Sequence, residues 1–174
     1  PVISSAASDV YKRQELALES YLSSGTPGTV HGMYEIHKKF GKLAWEELIQ
    51  PSIRLASEGF RVTNELAEAL KSEQVKLGKS NNTKKIFLKN GEPLKKDDLL
   101  IQTDLANTLK LIAIHGSDGF YKGETAKKIA LDMSNNGGLI TEEDLSGYYS
   151  KLRDPITFNY KNLKIASMPP PSSG

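Results

Sequence analysis

The chain has 174 residues, of which 38% are hydrophobic and 25% charged, with a net charge of +2. That length supports one domain with a sizeable core, and a balance this near neutral excludes strong steering toward nucleic acid and argues against extended disorder. Cysteine is absent, which removes disulfides, thiol nucleophiles and thiolate metal sites; no run approaches the roughly 20 apolar residues needed for stable membrane insertion.

Residues 1–14 show neither a sustained period nor a cap leading into a core segment. They read as a non-native or disordered leader, and Pro1 to Tyr11 has no apolar core of the signal-peptide kind. The domain proper is placed at 15–174. Gly25, Pro27, Gly28 and Gly32 then crowd the segment Ser24–Gly32, which predicts a tight, specific path rather than a helix. Met33, Ile36 and Phe40 have helical spacing, with Lys38 and Lys39 in the last turn and Gly41 beyond it.

Trp45, Leu48, Ile49, Ile53 and Ala56 form one apolar stripe that Gly59 ends. Pro51 interrupts it, predicting a kink or two short helices. Thr63 can cap a helix through Leu66, Ala69 and Leu70, with Glu65 in its first turn. From Lys71 to Asp98 the chain is polar and rich in lysine, a solvated surface excursion. Within it Ile86-Phe87-Leu88 predicts a short strand before the turn Lys89-Asn90-Gly91.

Leu99 to His115 contains the clearest helix: Leu105, Leu109 and Ile112 share a face that Ala106 and Ala113 widen, and Thr103 can cap it. Ala126, Ile129, Ala130 and Met133 make the face of another, and the two faces are expected to pack on each other. Asn135-Asn136-Gly137-Gly138 closes that helix, and Thr141 with Asp144 makes a capping box for a short one. Ile156, Phe158 and Tyr160, then Leu163, Ile165 and Ser167, predict a strand pair turning at Lys161-Asn162. Such a ribbon wants further strands. The abrupt run Met168-Pro169-Pro170-Pro171-Ser172-Ser173-Gly174 suggests a piece of something larger.

Chemical candidates are few. His31, His37 and His115 are too separated for a local metal motif and read as satisfied histidines. The neighbouring pairs Glu46/Glu47 and Asp97/Asp98 point in different directions, there is no Gly-x-Ser-x-Gly elbow or phosphate loop, and Ser172 and Ser173 have no base nearby.

Six blocks nonetheless carry a family resemblance. Ser24-Gly25-Thr26-Pro27-Gly28-Thr29-Val30, Gln50-Pro51 with Leu55-Ala56-Ser57-Glu58-Gly59-Phe60, Gly91-Glu92-Pro93-Leu94, Asp118-Gly119-Phe120-Tyr121-Lys122-Gly123, Asn136-Gly137-Gly138-Leu139-Ile140-Thr141 with Glu143-Asp144-Leu145, and Met168 to Gly174 together resemble the large-subunit region of gamma-glutamyltranspeptidases. The likeness runs in order from about Leu22 to Gly174.

The resemblance implies an α+β chain: the mostly helical part of a four-layer αββα N-terminal-nucleophile hydrolase, with strands near its C-terminal end, incomplete without the rest of the precursor. It implies an enzyme, a zymogen that cuts itself into large and small subunits. The small subunit's new N-terminal threonine then transfers the γ-glutamyl group of glutathione and related compounds to water, amino acids or peptides. The family's substrate-binding arginine lies upstream of Ser24–Gly32; Arg13 does not match its surroundings. The nucleophile and oxyanion glycines lie beyond Gly174, and Thr26, Thr29 and Thr141 are internal. No residue here is therefore assigned a catalytic, cofactor-binding or metal role, no cofactor is expected, and this part alone is expected to be inert. The expected partner is the small subunit of the same precursor, and the expected location of the parent is periplasmic or extracellular. Two alternatives stand: a family paralogue acting on cephalosporin side-chain amides or poly-γ-glutamate, and a stand-alone helical binding module built on the Lys71–Lys96 cluster.

Overall fold

The structure, a computed structural model, describes Leu16, Leu18 and residues 20–169. The expected leader and the expected exposed serines Ser172 and Ser173 lie outside the described residues, as does Arg13. After a 3-10 turn at Tyr21–Ser23, helix α1 spans Thr29–Phe40 and α2 spans Trp45–Glu58. Two departures from the sequence reading occur here. Helix α1 takes in Thr29 to Gly32, because Gly28 occupies its N-cap without any side-chain bond that a sequence could advertise. Helix α2 runs unbroken through Pro51 rather than as two pieces. Pro51 is exposed, so the carbonyl left without a donor at Glu47 can bond to water. The Trp45 indole donates to the Ile112 carbonyl at 2.9 Å before it, and Ile53 and Ala56 are buried after it.

Strand β1 (Phe60–Arg61) pairs antiparallel with β4 (Leu99–Leu100). Between them lie α3 (Asn64–Ser72), α4 (Gln74–Leu77), α5 (Asn81–Phe87) and the hairpin β2 (Leu88–Lys89) to β3 (Glu92–Pro93). Thr63 caps α3 as expected, accepting the Leu66 N–H at 3.2 Å. Ile86 and Phe87 end a helix instead of opening a strand; the extended segment starts only at Leu88. The physical cause is packing: Ile86 and Phe87 lie against the buried cluster Val62, Leu70, Leu94 and Leu100, which overrides their strand propensity.

Helix α6 (Thr103–His115) lies within the expected segment, after Leu99–Leu100 has paired as β4. Thr103 is its first residue, not its cap; the cap position is Gln102, which makes no side-chain bond. Its buried residues are Ala106, Ile112 and Ala113, while Leu105 is exposed. They pack chiefly against α2 and the short α7 (Asp118–Tyr121), not face to face with α8 (Gly123–Asn135). An open cleft lined by Leu111, Phe120 and Ile129 separates α6 from α8. Helix α9 (Glu142–Ser146) carries the complete capping box and buries Leu145. The chain then forms the antiparallel pair β5 (Ile156–Tyr160) and β6 (Leu163–Ser167), in the register Phe158↔Ile165. No sheet among the described residues exceeds two strands.

Candidate functional site

The glycine-rich segment Ser24–Gly32 is held by an aromatic knot from the far end of the sequence. Tyr121, at the end of α7, is 3% exposed. Its hydroxyl donates to the Pro27 carbonyl at 2.5 Å and accepts the His31 backbone N–H at 3.3 Å. Its ring stacks on Tyr148, with centroids 5.3 Å apart and planes within 7°. The His31 ring meets both tyrosines edge-on. Gly28 packs beneath the Tyr148 hydroxyl, and an added Cβ there would have to displace that ring. Burial is the main reason the Tyr121 hydroxyl is held above its ordinary pKa; the Tyr148 charge adds to that, and the bond from the His31 backbone opposes it.

His31 also reaches Ser150. The Ser150 N–H donates to His31 Nδ1 at 3.2 Å, and the Ser150 hydroxyl lies 2.9 Å from the same atom. Accepting a backbone N–H fixes Nδ1 as the unprotonated nitrogen and puts the proton on Nε2. A serine beside a histidine is the raw material of a nucleophile–base pair. Here, however, no carboxylate orients Nε2 among the described residues, so the pair ties a loop to a helix. Nothing in the sequence announced it, since the two residues are separated by 119 positions.

The other expected candidates stay apart. His37 is bonded through Nε2 to the Leu43 carbonyl at 2.9 Å and packs on Trp45. His115 closes α6. Asp97 adopts a positive φ of 70°, whereas Asp98 accepts the Lys95 N–H at 2.8 Å. Among the described residues no group of three His, Asp or Glu side chains could hold a metal, and no helix is long and apolar enough to cross a membrane. Lys71, Lys84, Lys85, Lys95 and Lys96 are all exposed; Lys71, Lys95 and Lys96 rim a shallow cleft of about 320 Å³ floored by Pro93 and Leu94.

A mostly helical α/β chain whose longest strands, β5 and β6, lie at its C-terminal end is the arrangement found in one part of N-terminal-nucleophile hydrolases. Helicobacter pylori gamma-glutamyltranspeptidase superposes on it with a TM-score of 0.88 at 42% identity, over 91% of this chain and 46% of that one. A family model described as gamma-glutamyltranspeptidase matches residues 4–174. The chain belongs to the gamma-glutamyltranspeptidase family. It is 48% identical over 159 residues to the glutathione hydrolase proenzyme of Escherichia coli strain K12, covering 91% of this chain and 27% of that protein. The cephalosporin acylase of Bacillus halodurans is also similar, with a TM-score of 0.78 at 28% identity over 93% of this chain and 32% of that one. The chain thus spans about a quarter of the length of the curated relatives it matches.

Proposed function

We propose that this chain is the helical portion of the large subunit of an autoprocessed γ-glutamyltransferase and glutathione hydrolase. The observation that supports this most is the family match running through residues 4–174, with the motif blocks in order. The partner in this reading is the small subunit of the same precursor. Its N-terminal threonine attacks the γ-glutamyl carbonyl, its own free amine takes the hydroxyl proton, and backbone N–H groups stabilise the oxyanion. Water, an amino acid or a peptide then resolves the acyl-enzyme.

In this division of labour the present residues supply no reacting group. Thr26, Thr29 and Thr141 carry peptide-bonded nitrogens, so none can act as its own base. The chain by itself hydrolyses nothing, and the knot around Tyr121 serves to fix the Ser24–Gly32 path. The parent acts in the periplasm or outside the cell.

The test is to recover the flanking coding sequence and express the whole protein. An upstream arginine motif, a downstream threonine opening a small subunit, and release of aniline from a γ-glutamyl anilide are expected. A parent lacking that threonine would overturn the reading. A second reading is a paralogue cleaving cephalosporin side-chain amides or poly-γ-glutamate; the likeness to the cephalosporin acylase supports the first of these substrates. Turnover of glutaryl-cephalosporin or of the polymer in preference to the anilide would select it.

A further inference from the structure

The sequence holds two Asn-Gly pairs, Asn90-Gly91 and Asn136-Gly137. We propose that Asn90 is a site of spontaneous deamidation and that the fold selects it over Asn136. In this reaction the Gly91 amide nitrogen attacks Cγ of Asn90. The Cγ–Nδ2 bond breaks, and Nδ2 leaves as ammonia with the proton that the Gly91 nitrogen loses. Water then opens the five-membered succinimide at Cγ to give aspartate, or at the backbone carbonyl to give isoaspartate. Solvent water is the one co-reactant, and nothing is oxidised or reduced.

Asn90 and Gly91 are the two turn residues of the β2–β3 hairpin, with φ of 54° and 85°. Both are exposed. The Asn90 side-chain amide makes no hydrogen bond among the described residues, and neither does the Gly91 N–H, although the Gly91 carbonyl accepts from Gln74 Nε2 at 3.4 Å. A Cβ added at Gly91 would meet nothing within 4 Å, so this side of the turn is open to solvent. Attack requires the Asn90 backbone, at φ 54°, to leave its left-handed conformation, and hence a brief opening of the turn. That opening can stay local to the turn: the ladder is two pairs long and Pro93 brings no N–H to it, while the Leu94 N–H holds the base of the hairpin to the Phe87 carbonyl at 3.0 Å.

Asn136 is placed differently. Its Nδ2 donates to the Asp132 carbonyl at 2.8 Å and to Asp132 Oδ1 at 3.3 Å. Its backbone N–H donates to the Asp132 and Met133 carbonyls, both at 3.2 Å. The leaving group and the backbone are both pinned to the end of α8, and these bonds must break before Cγ can be approached. At Asn90 the product introduces a negative charge beside Lys89, and isoaspartate adds a methylene to a two-residue turn whose length sets the strand register.

Peptide mapping by mass spectrometry of the full 174-residue chain, aged in mildly alkaline buffer, reads this directly. Asn90 should gain about 1 Da as mixed aspartate and isoaspartate, with Asn136 slower by at least about fivefold, the effect of roughly one retained hydrogen bond. In urea the two rates should converge, and Asn90→Gln, which needs a six-membered ring, should stay unmodified. Native Asn136 converting as fast as Asn90, or a native Asn90 that stays intact while the urea-unfolded one converts, would overturn the proposal.

Discussion

The Tyr121 hydroxyl donates to the Pro27 carbonyl across 94 positions of sequence, and the same oxygen receives the first-turn N–H of His31. One phenol thereby fixes both the entry path and the start of α1, a helix whose N-cap, Gly28, offers no side chain. Tyr121→Phe keeps the stack on Tyr148 but orphans both groups, and should cost about 1–2 kcal/mol of stability. Tyr121→Ala also removes a buried ring and should cost about 3–5 kcal/mol. Urea titration measures both, and a neutral phenylalanine variant would show that the hydroxyl does not hold the segment. The sign of the pH effect follows from the raised pKa of this hydroxyl. Its contribution is full below the unfolded tyrosine value of about 10 and is lost as pH rises through the folded value. The gap between wild type and Tyr121→Phe should therefore narrow in alkali.

Two glycines should respond to alanine in opposite directions. Gly119, in α7, faces the backbone of α6, where an added Cβ would run into the Leu111 carbonyl and lie 2.6 Å from the Ile112 nitrogen. Backbone cannot swing aside as a side chain can, so Gly119→Ala should cost about 1–3 kcal/mol. Gly32, inside α1, would place its Cβ in open space. Gly32→Ala should stabilise by roughly 0.5–1 kcal/mol through helix propensity. Melting temperatures moving in the same direction would contradict the packing of α7 on α6.

The capping box of α9 gives an acid-sensitive element. The Asp144 carboxyl is held below its ordinary pKa by the Thr141 backbone N–H first and the Thr141 hydroxyl second. A depressed folded pKa means that the stabilisation is present above the unfolded aspartate value of about 3.9 and is lost as pH falls through the folded value. Asp144→Asn should flatten that acid limb while leaving α9 in place. Thr141→Ala removes the cap itself, which should cost about 1 kcal/mol and loosen the helix over fully buried Leu145. An unchanged acid limb in Asp144→Asn would show that the box does not set it.

What the sequence disclosed depended on how local the cause was. The Thr63 cap, the Thr141–Asp144 box, the Asn90-Gly91 turn and the β5–β6 register were legible because each is set by residues within a few positions of one another. The start of α1 was not, since its anchor Tyr121 lies 90 positions from His31. The same holds for the helical state of Ile86 and Phe87, packed against the Val62 cluster, and for α6, which buries Ala106, Ile112 and Ala113 and leaves Leu105 exposed. The family resemblance rested on ordered short motifs, and so survived these local misreadings. The His31–Ser150 contact had no sequence signal at all.

The β5–β6 ribbon carries the last prediction. All five residues of β5 are exposed, Phe158 at 50% and Tyr160 at 60%. Leu163 on β6 is 63% exposed, and among the described residues each strand has a partner on one side only. A ribbon with apolar side chains exposed and, among the described residues, two open edges and no covering layer invites edge-to-edge pairing between copies. The isolated 174-residue chain should therefore be helical by circular dichroism yet self-associate with rising concentration. Phe158→Lys places a charge on the exposed ribbon opposite Ile165, a substitution that discourages edge pairing. It should lower light scattering without changing helix content, because neither buried cluster includes Phe158. Co-expression with the proposed small subunit should lower it further. A cooperative, concentration-independent unfolding transition of the unmodified chain would show instead that the ribbon is self-sufficient.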